Sequence, residues 1–193
     1  MVDKEILPDD KERQSRLNSV VAISIAILAG FMAVTKVKDD NIVQAMLQAK
    51  TDAVDNWNAY QAKRIRHALL ESSRDQILLQ RTVAPAPIVK QLEDQLHRYE
   101  AEISRYKNEE ADLQQQARAK EQQYETLNYR DDQFDLSDAA LSLSVTILAV
   151  VALTGKRWLL WLSWSFAIFG LLIGTAGLLG WHLHPGWLTK LLS

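Results

Sequence analysis

Residues 89–127 read VKQLEDQLHRYEAEISRYKNEEADLQQQARAKEQQYETL, and the spacing inside that stretch decides the fold. Val89, Leu92, Leu96, Tyr99, Ile103, Tyr106, Glu110, Leu113, Ala117, Lys120, Tyr124 and Leu127 follow one another at alternating steps of three and four. A repeat averaging 3.5 residues keeps one seam of a helix turned toward a neighbour and specifies a left-handed supercoil. Only Glu110 and Lys120 interrupt the otherwise apolar seam. As a helix rising about 1.5 Å per residue, this segment would extend about 58 Å.

The partner for that seam is expected just upstream. Between Phe31 and Ala84 there is neither proline nor glycine; Pro85 and Pro87 then break the chain in RTVAPAP, and both residue types are again absent until Gly155. Proline stops a helix and pushes the residue before it out of helical conformation, so the pattern predicts two uninterrupted helices joined by one turn. Met46, Ala49, Ala53, Trp57 and Tyr60 supply a face at steps of three and four, with Ile65, Ala68 and Leu69 expected to continue it. Lys36 lies 48 residues before Ala84 and Asp135 lies 51 after it, so the arms match in length. The expectation is a long extramembrane antiparallel coiled-coil hairpin, with a first arm over 36–84 and a second over 85–135.

Inside the first arm, DNWNAYQAKRIRHALL (residues 55–70) mixes aromatics, amides and cations. Trp57 and Tyr60 are expected to pack into the hairpin, with Gln61 and Lys63 beside them and the cations Lys63, Arg64 and Arg66 turned to water. A ligand cradle is the less favoured reading. On the second arm the packing residues are Leu92, Leu96, Tyr99, Ile103, Tyr106 and Leu113.

Outside the arms the composition changes abruptly. Leu17 to Thr35, Ala139 to Gly155 and Trp158 to Trp181 contain no charged residue. About 20 helical residues cross the ~30 Å hydrocarbon layer, so three transmembrane helices are predicted, over 17–35, 136–155 and 158–181. The first run is longer than a signal-peptide core and has no small-residue cleavage site before Lys36, so it reads as a retained anchor. A polar tail (1–16) precedes these spans, and an interfacial tail (182–193) follows them. The fold class is therefore an all-α membrane protein.

Ser163, Ala167, Gly170, Gly174 and Gly177 form a stripe along the third span, a small-residue face that lets helices approach closely, within one subunit or between subunits. Trp158, Trp161 and Trp164 open that span, and Trp181 and Trp187 close it, as interfacial belts. Lys4, Lys11, Arg13 and Arg16 precede the first span, and Lys156 and Arg157 fill the turn between the second and third. Asp131, Asp132, Asp135 and Asp138 crowd the opposite flank. By the positive-inside rule the N-terminus is expected in the cytoplasm, and the hairpin on the extracytoplasmic side of a bacterial inner membrane.

The stretch at 55–70 together with FDLSDAALSLSVTILAVVALTGKRWLLW (residues 134–161) resembles an uncharacterised family of bacterial membrane proteins, domain of unknown function 4337. The resemblance runs from about Leu17 to Trp181 and is carried most by Trp57, Tyr60, Gln61, Ala62, Lys63, Phe134, Asp135, Lys156, Arg157 and Trp158. It implies architecture and bacterial origin and supplies no activity.

Little chemistry is left open. The chain has no cysteine, which removes disulfides, thiol nucleophiles and cysteine metal sites. His182 and His184, two residues apart, point to different sides of a helix and carry no metal expectation. Glu109, Glu110 and Asp112 read as a solvated face rather than an acid/base pair, and no phosphate loop or nucleophile elbow is present. No enzyme activity and no cofactor are expected. Residues 39–135 carry 13 basic and 18 acidic groups, a net −5 that repels phosphate, so no nucleic-acid partner is expected. No ionisable residue lies in the three uncharged runs, and Asp138, at the boundary of the second span, reads as a helix-start residue near water; both disfavour a proton-coupled transporter. The expected partners are the lipid bilayer, further copies of the chain and a membrane or periplasmic protein. The expected function is a self-associating scaffold, with an oligomeric channel, or an accessory subunit of a membrane transport complex, as the alternative.

Overall fold

A computed structural model describes residues 8–181. The expectations for the tail at 182–193, including His182, His184 and Trp187, lie outside the described residues. The chain forms three helices: α1 (Pro8–Val83), α2 (Ala86–Thr154) and α3 (Arg157–Leu179). All three carry a stretch long and apolar enough to cross a membrane. No helix boundary falls where the expected spans meet the expected arms, because no proline or glycine stands there.

Two compact units are present. The first comprises residues up to Ala45 together with those from Thr126; the second is Met46–Glu125.

In the first unit the start of α1, the end of α2 and α3 enclose one apolar core. Leu17, Val21 and Leu28 of α1, Leu141, Leu148 and Val151 of α2, and Ala167 of α3 are all buried in it. The link from α2 to α3 is only Gly155 and Lys156. Gly155 has φ +67° and donates its N–H to Val151 O at 2.8 Å. A side chain there would be strained, so glycine is what lets the chain reverse in two residues. At the far end of α3, Gly180 is also left-handed (φ +71°), and the Trp181 N–H closes on Ala176 O at 2.9 Å. That pattern satisfies carbonyls a helix end otherwise leaves orphaned.

In the second unit α1 and α2 lie side by side in opposite directions. Arg81 pairs with Glu93, Lys63 with Glu109, and Lys120 with Asp52, so advance along one helix is retreat along the other. Ala84 and Pro85 make the reversal, and the Pro85 carbonyl accepts from Ile88 (2.9 Å) and Val89 (3.3 Å) to start α2. Ile77, Leu92 and Leu96 are buried beside it, with Ala84 and Tyr99 packed against them.

Candidate functional site

Every position of the α2 seam from Val89 to Leu127 is buried or half-buried, and Leu92, Leu96 and Ala117 are the most enclosed. Tyr99, Ile103, Tyr106 and Leu113 are half-buried along it. On α1, Ala49 and Ala53 are buried, at 1% and 5% exposure, which allows a close approach of the two backbones. The seam's two charged interruptions have partners. Glu110 Oε1 lies 2.9 Å from His67 Nδ1, which donates, and Lys120 Nζ lies 2.8 Å from Asp52 Oδ2. Hydrogen-bonded charge at an otherwise apolar seam fixes register, because slippage would leave each group unpaired.

The aromatic stretch of the first arm belongs to this interface. Trp57 donates its indole N–H to Glu121 Oε1 at 2.8 Å and stands edge-on to Tyr60 at 5.5 Å between centroids. Lys63 is half-buried, not solvated as expected: its ammonium is 2.5 Å from Glu109 Oε2 and 5.0 Å from the centre of the Tyr106 ring. Arg64 and Arg66 are exposed. Gln61 is exposed too, and so are Ile65, Ala68 and Leu69, which the sequence suggested would continue the packed face. Past Tyr60 the packed face runs instead through Lys63, His67, Leu70, Arg74 and Ile77. The steps of three and four hold, but they pass through cations whose stems pack while their heads pair.

What the apolar residues do instead is form a second stripe. Leu47, Val54, Ile65, Leu69, Leu79 and Val83 are 51–84% exposed. At 100° per residue they fall within about 40° of one line on α1. Thr51, Asn58, Gln61, Ser72 and Gln76 fill the remaining turns of that line, and all five are exposed. No residue on it is charged. The only signal in the sequence was this second three-four series, hidden behind the residues of the first.

In the first unit the small-residue stripe of α3 lies against α2 and α1. A Cβ placed on Gly170 would sit 2.7 Å from Leu141 Cγ; one on Gly174 would sit 2.5 Å from Ser137 Oγ and 2.8 Å from the Phe31 ring. One on Gly177 would meet the Phe134 ring at 3.1 Å. Ser163 and Ala167 of the same stripe are buried. Three hydroxyls hold the contact: Ser144 donates to Ser163 O (3.0 Å), Ser163 to Ser144 O (2.9 Å) and Ser137 to Gly170 O (2.8 Å). Arg130 donates to Gly177 O at 3.0 Å, and Gln133 to Trp181 O at 2.8 Å.

An acidic group accompanies this packing. Asp39 of α1 is 4% exposed; its Oδ2 accepts from Lys36 Nζ at 2.9 Å, while its Oδ1 is enclosed without a hydrogen-bond donor. Asp131 of α2 lies beside Asp39. The loss of water and a second carboxyl both favour the protonated form of Asp131. Desolvation first, then the adjacent Asp39 carboxyl, then the charges of Asp135 and Asp132 push Asp131 up to about 6. Asp135 is raised by desolvation and by the charge of Asp39, although Lys36 acts against it. Lys36 is held above its usual range, chiefly by its hydrogen bond to Asp39. The sequence showed the α2 aspartates only as a marker of sidedness and gave no hint that Asp39 would be enclosed. Among the described residues, no group of three or more potential ligands is placed to hold a metal ion.

The arrangement supports packing and pairing of helices. Comparison with curated proteins and with solved structures finds no match. Residues 17–180 match the family described as Domain of unknown function (DUF4337), and the chain belongs to that family.

Proposed function

We propose that this chain is an integral inner-membrane protein that self-associates and serves as a scaffold. It spans the bilayer three times and presents an antiparallel coiled-coil hairpin on the extracytoplasmic side. One observation carries the reading: the uncharged, exposed stripe from Leu47 to Val83, on an arm whose other side is already occupied by α2. Six exposed aliphatics along one line of a water-facing helix are costly unless something covers them. The covering surface is a second copy. Copies inserted in one bilayer with one orientation present their stripes parallel, and a stripe without charge needs no complementary partner but itself. The 61-65-69 steps, four and four amid threes and fours, make a stutter of the kind supercoiled helices accommodate.

The chain has no cysteine, so single cysteines report cleanly. Ile65→Cys in membranes is expected to form an intermolecular disulfide on mild oxidation, and Arg66→Cys, turned about 100° away, far less. Ile65→Asp with Leu69→Asp is expected to convert the detergent-purified oligomer to monomer. A strictly monomeric wild-type protein, with no crosslink in the Ile65→Cys variant, would overturn the proposal. Current through the purified protein in planar bilayers would favour the channel instead. For sidedness, Thr82→Cys is expected to react with an impermeant maleimide in intact cells; protection there would invert the orientation.

A further inference from the structure

Where α1 enters its apolar stretch and α3 begins, a groove of about 420 Å³ opens between the two helices. Its polar end is made by Arg13 and Arg16 of α1 and Arg157 of α3. Its walls are apolar, with Val20 on one side and Trp161 and Trp164 on the other. None of the described residues lining it is acidic. The two indoles stand edge to face, 5.6 Å between centroids, in one wall. Arg16 also pairs with Glu12 at 2.6 Å, but both side chains are largely exposed, at 78% and 64%, so water competes for that pair at little cost.

We infer that this groove is a binding site for an anionic phospholipid, with the phosphate on the guanidinium groups and an acyl chain along Val20 and Trp164. The charge and the walls point the same way. Guanidinium forks suit phosphate oxygens, and arginines from two helices line this one groove. Free phosphate would use the arginines and leave the apolar walls in water. A zwitterionic lipid would use the walls and bring a cation to three cations. Indoles sit at headgroup level in a bilayer, the depth at which a lipid phosphate lies. The inference rests on the membrane reading, though not on self-association.

The test uses the full-length protein purified in mild detergent, with retained lipid counted by native mass spectrometry. Phosphatidylglycerol is expected to bind roughly tenfold or more tightly than phosphatidylcholine, from about a fivefold contribution per cation near anionic lipid. Arg13→Gln/Arg16→Gln/Arg157→Gln is expected to abolish that preference while leaving phosphatidylcholine binding unchanged. Arg64→Gln/Arg66→Gln, which removes exposed charge elsewhere, is expected to keep it. Equal binding of the two lipids by the wild type would overturn the inference. So would displacement of phosphatidylglycerol by millimolar inorganic phosphate, or an equal loss in the Arg64/Arg66 variant. Failure of the membrane reading would look different: a chain soluble without detergent that retains neither lipid.

Discussion

The two units of this protein hold their helices together by opposite means. In the unit that contains α3, contact depends on what is missing: glycines without side chains, and serine hydroxyls donated to backbone carbonyls. In the Met46–Glu125 unit it depends on what is added: tyrosines, a tryptophan and ion pairs set along a leucine and alanine seam. The difference is the one expected if, as proposed above, the first unit lies in lipid and the second in water. Water drives apolar side chains together, so large ones contribute most and charged heads remain hydrated at the edge. Lipid offers no such drive, and association rests on close van der Waals fit and on hydrogen bonds that hydrocarbon cannot replace.

The comparison breaks most sharply at Gly174. Gly174→Leu is expected to cost about 3 kcal/mol or more, since even its Cβ overlaps Ser137 Oγ and the Phe31 ring. Denaturation in mixed micelles should show that loss while the circular dichroism of the arms persists. In the other unit, Leu96→Ala removes a buried seam side chain and should cost about 2 kcal/mol, near the lower end for leucine truncation because the site is at the edge of a small cluster. Thermal unfolding of the full chain checks it. Ser144→Ala should cost less, about 0.6–1 kcal/mol, because Ser163 retains Ser144 O as acceptor. A loss as large as that of Leu96→Ala would mean that polar glue, rather than fit, dominates this unit.

The smallest expected effect is a pH dependence, because Asp131 is only half-buried and water screens its charge. Asp131 binds its proton more tightly in the folded state, at about 6 against an ordinary 3.8. Its contribution to stability is therefore complete below about 4 and lost as pH rises through about 6. The unfolding midpoint of the wild type should decline over that window, and the decline should flatten in Asp131→Asn. An unchanged slope in that variant would show that Asp131 is not the group responsible. Lys36, Asp39 and Asp40 on α1, and Arg130, Asp132, Asp135 and Asp138 on α2, are the neighbouring charges that should set the exact midpoint.

Much of this was legible in the chain itself. The helices, their proline turn and the apolar stretches followed from spacing and from where breakers stand, since those features act locally. The first arm was misread past Tyr60 because Ile65 and Leu69 outrank Lys63 and His67 in hydrophobicity, whereas the helix keeps its face by angle. The stripe of α3 was legible as a contact surface, but not that Ser137, Leu141 and Phe134 face it, because pairing between distant segments leaves no trace in one sequence. Asp39 escaped notice for the same reason: its burial is created by α2.

The link of Gly155 and Lys156 has a consequence for how the protein is made. In the membrane arrangement proposed above, a two-residue link holds the start of α3 beside the end of α2. Until α3 is alongside, Ser137 and Ser144 would meet hydrocarbon without their cross-helix acceptors. In that arrangement a nascent chain truncated after Lys156 is expected to hold its second span less firmly than one that includes α3.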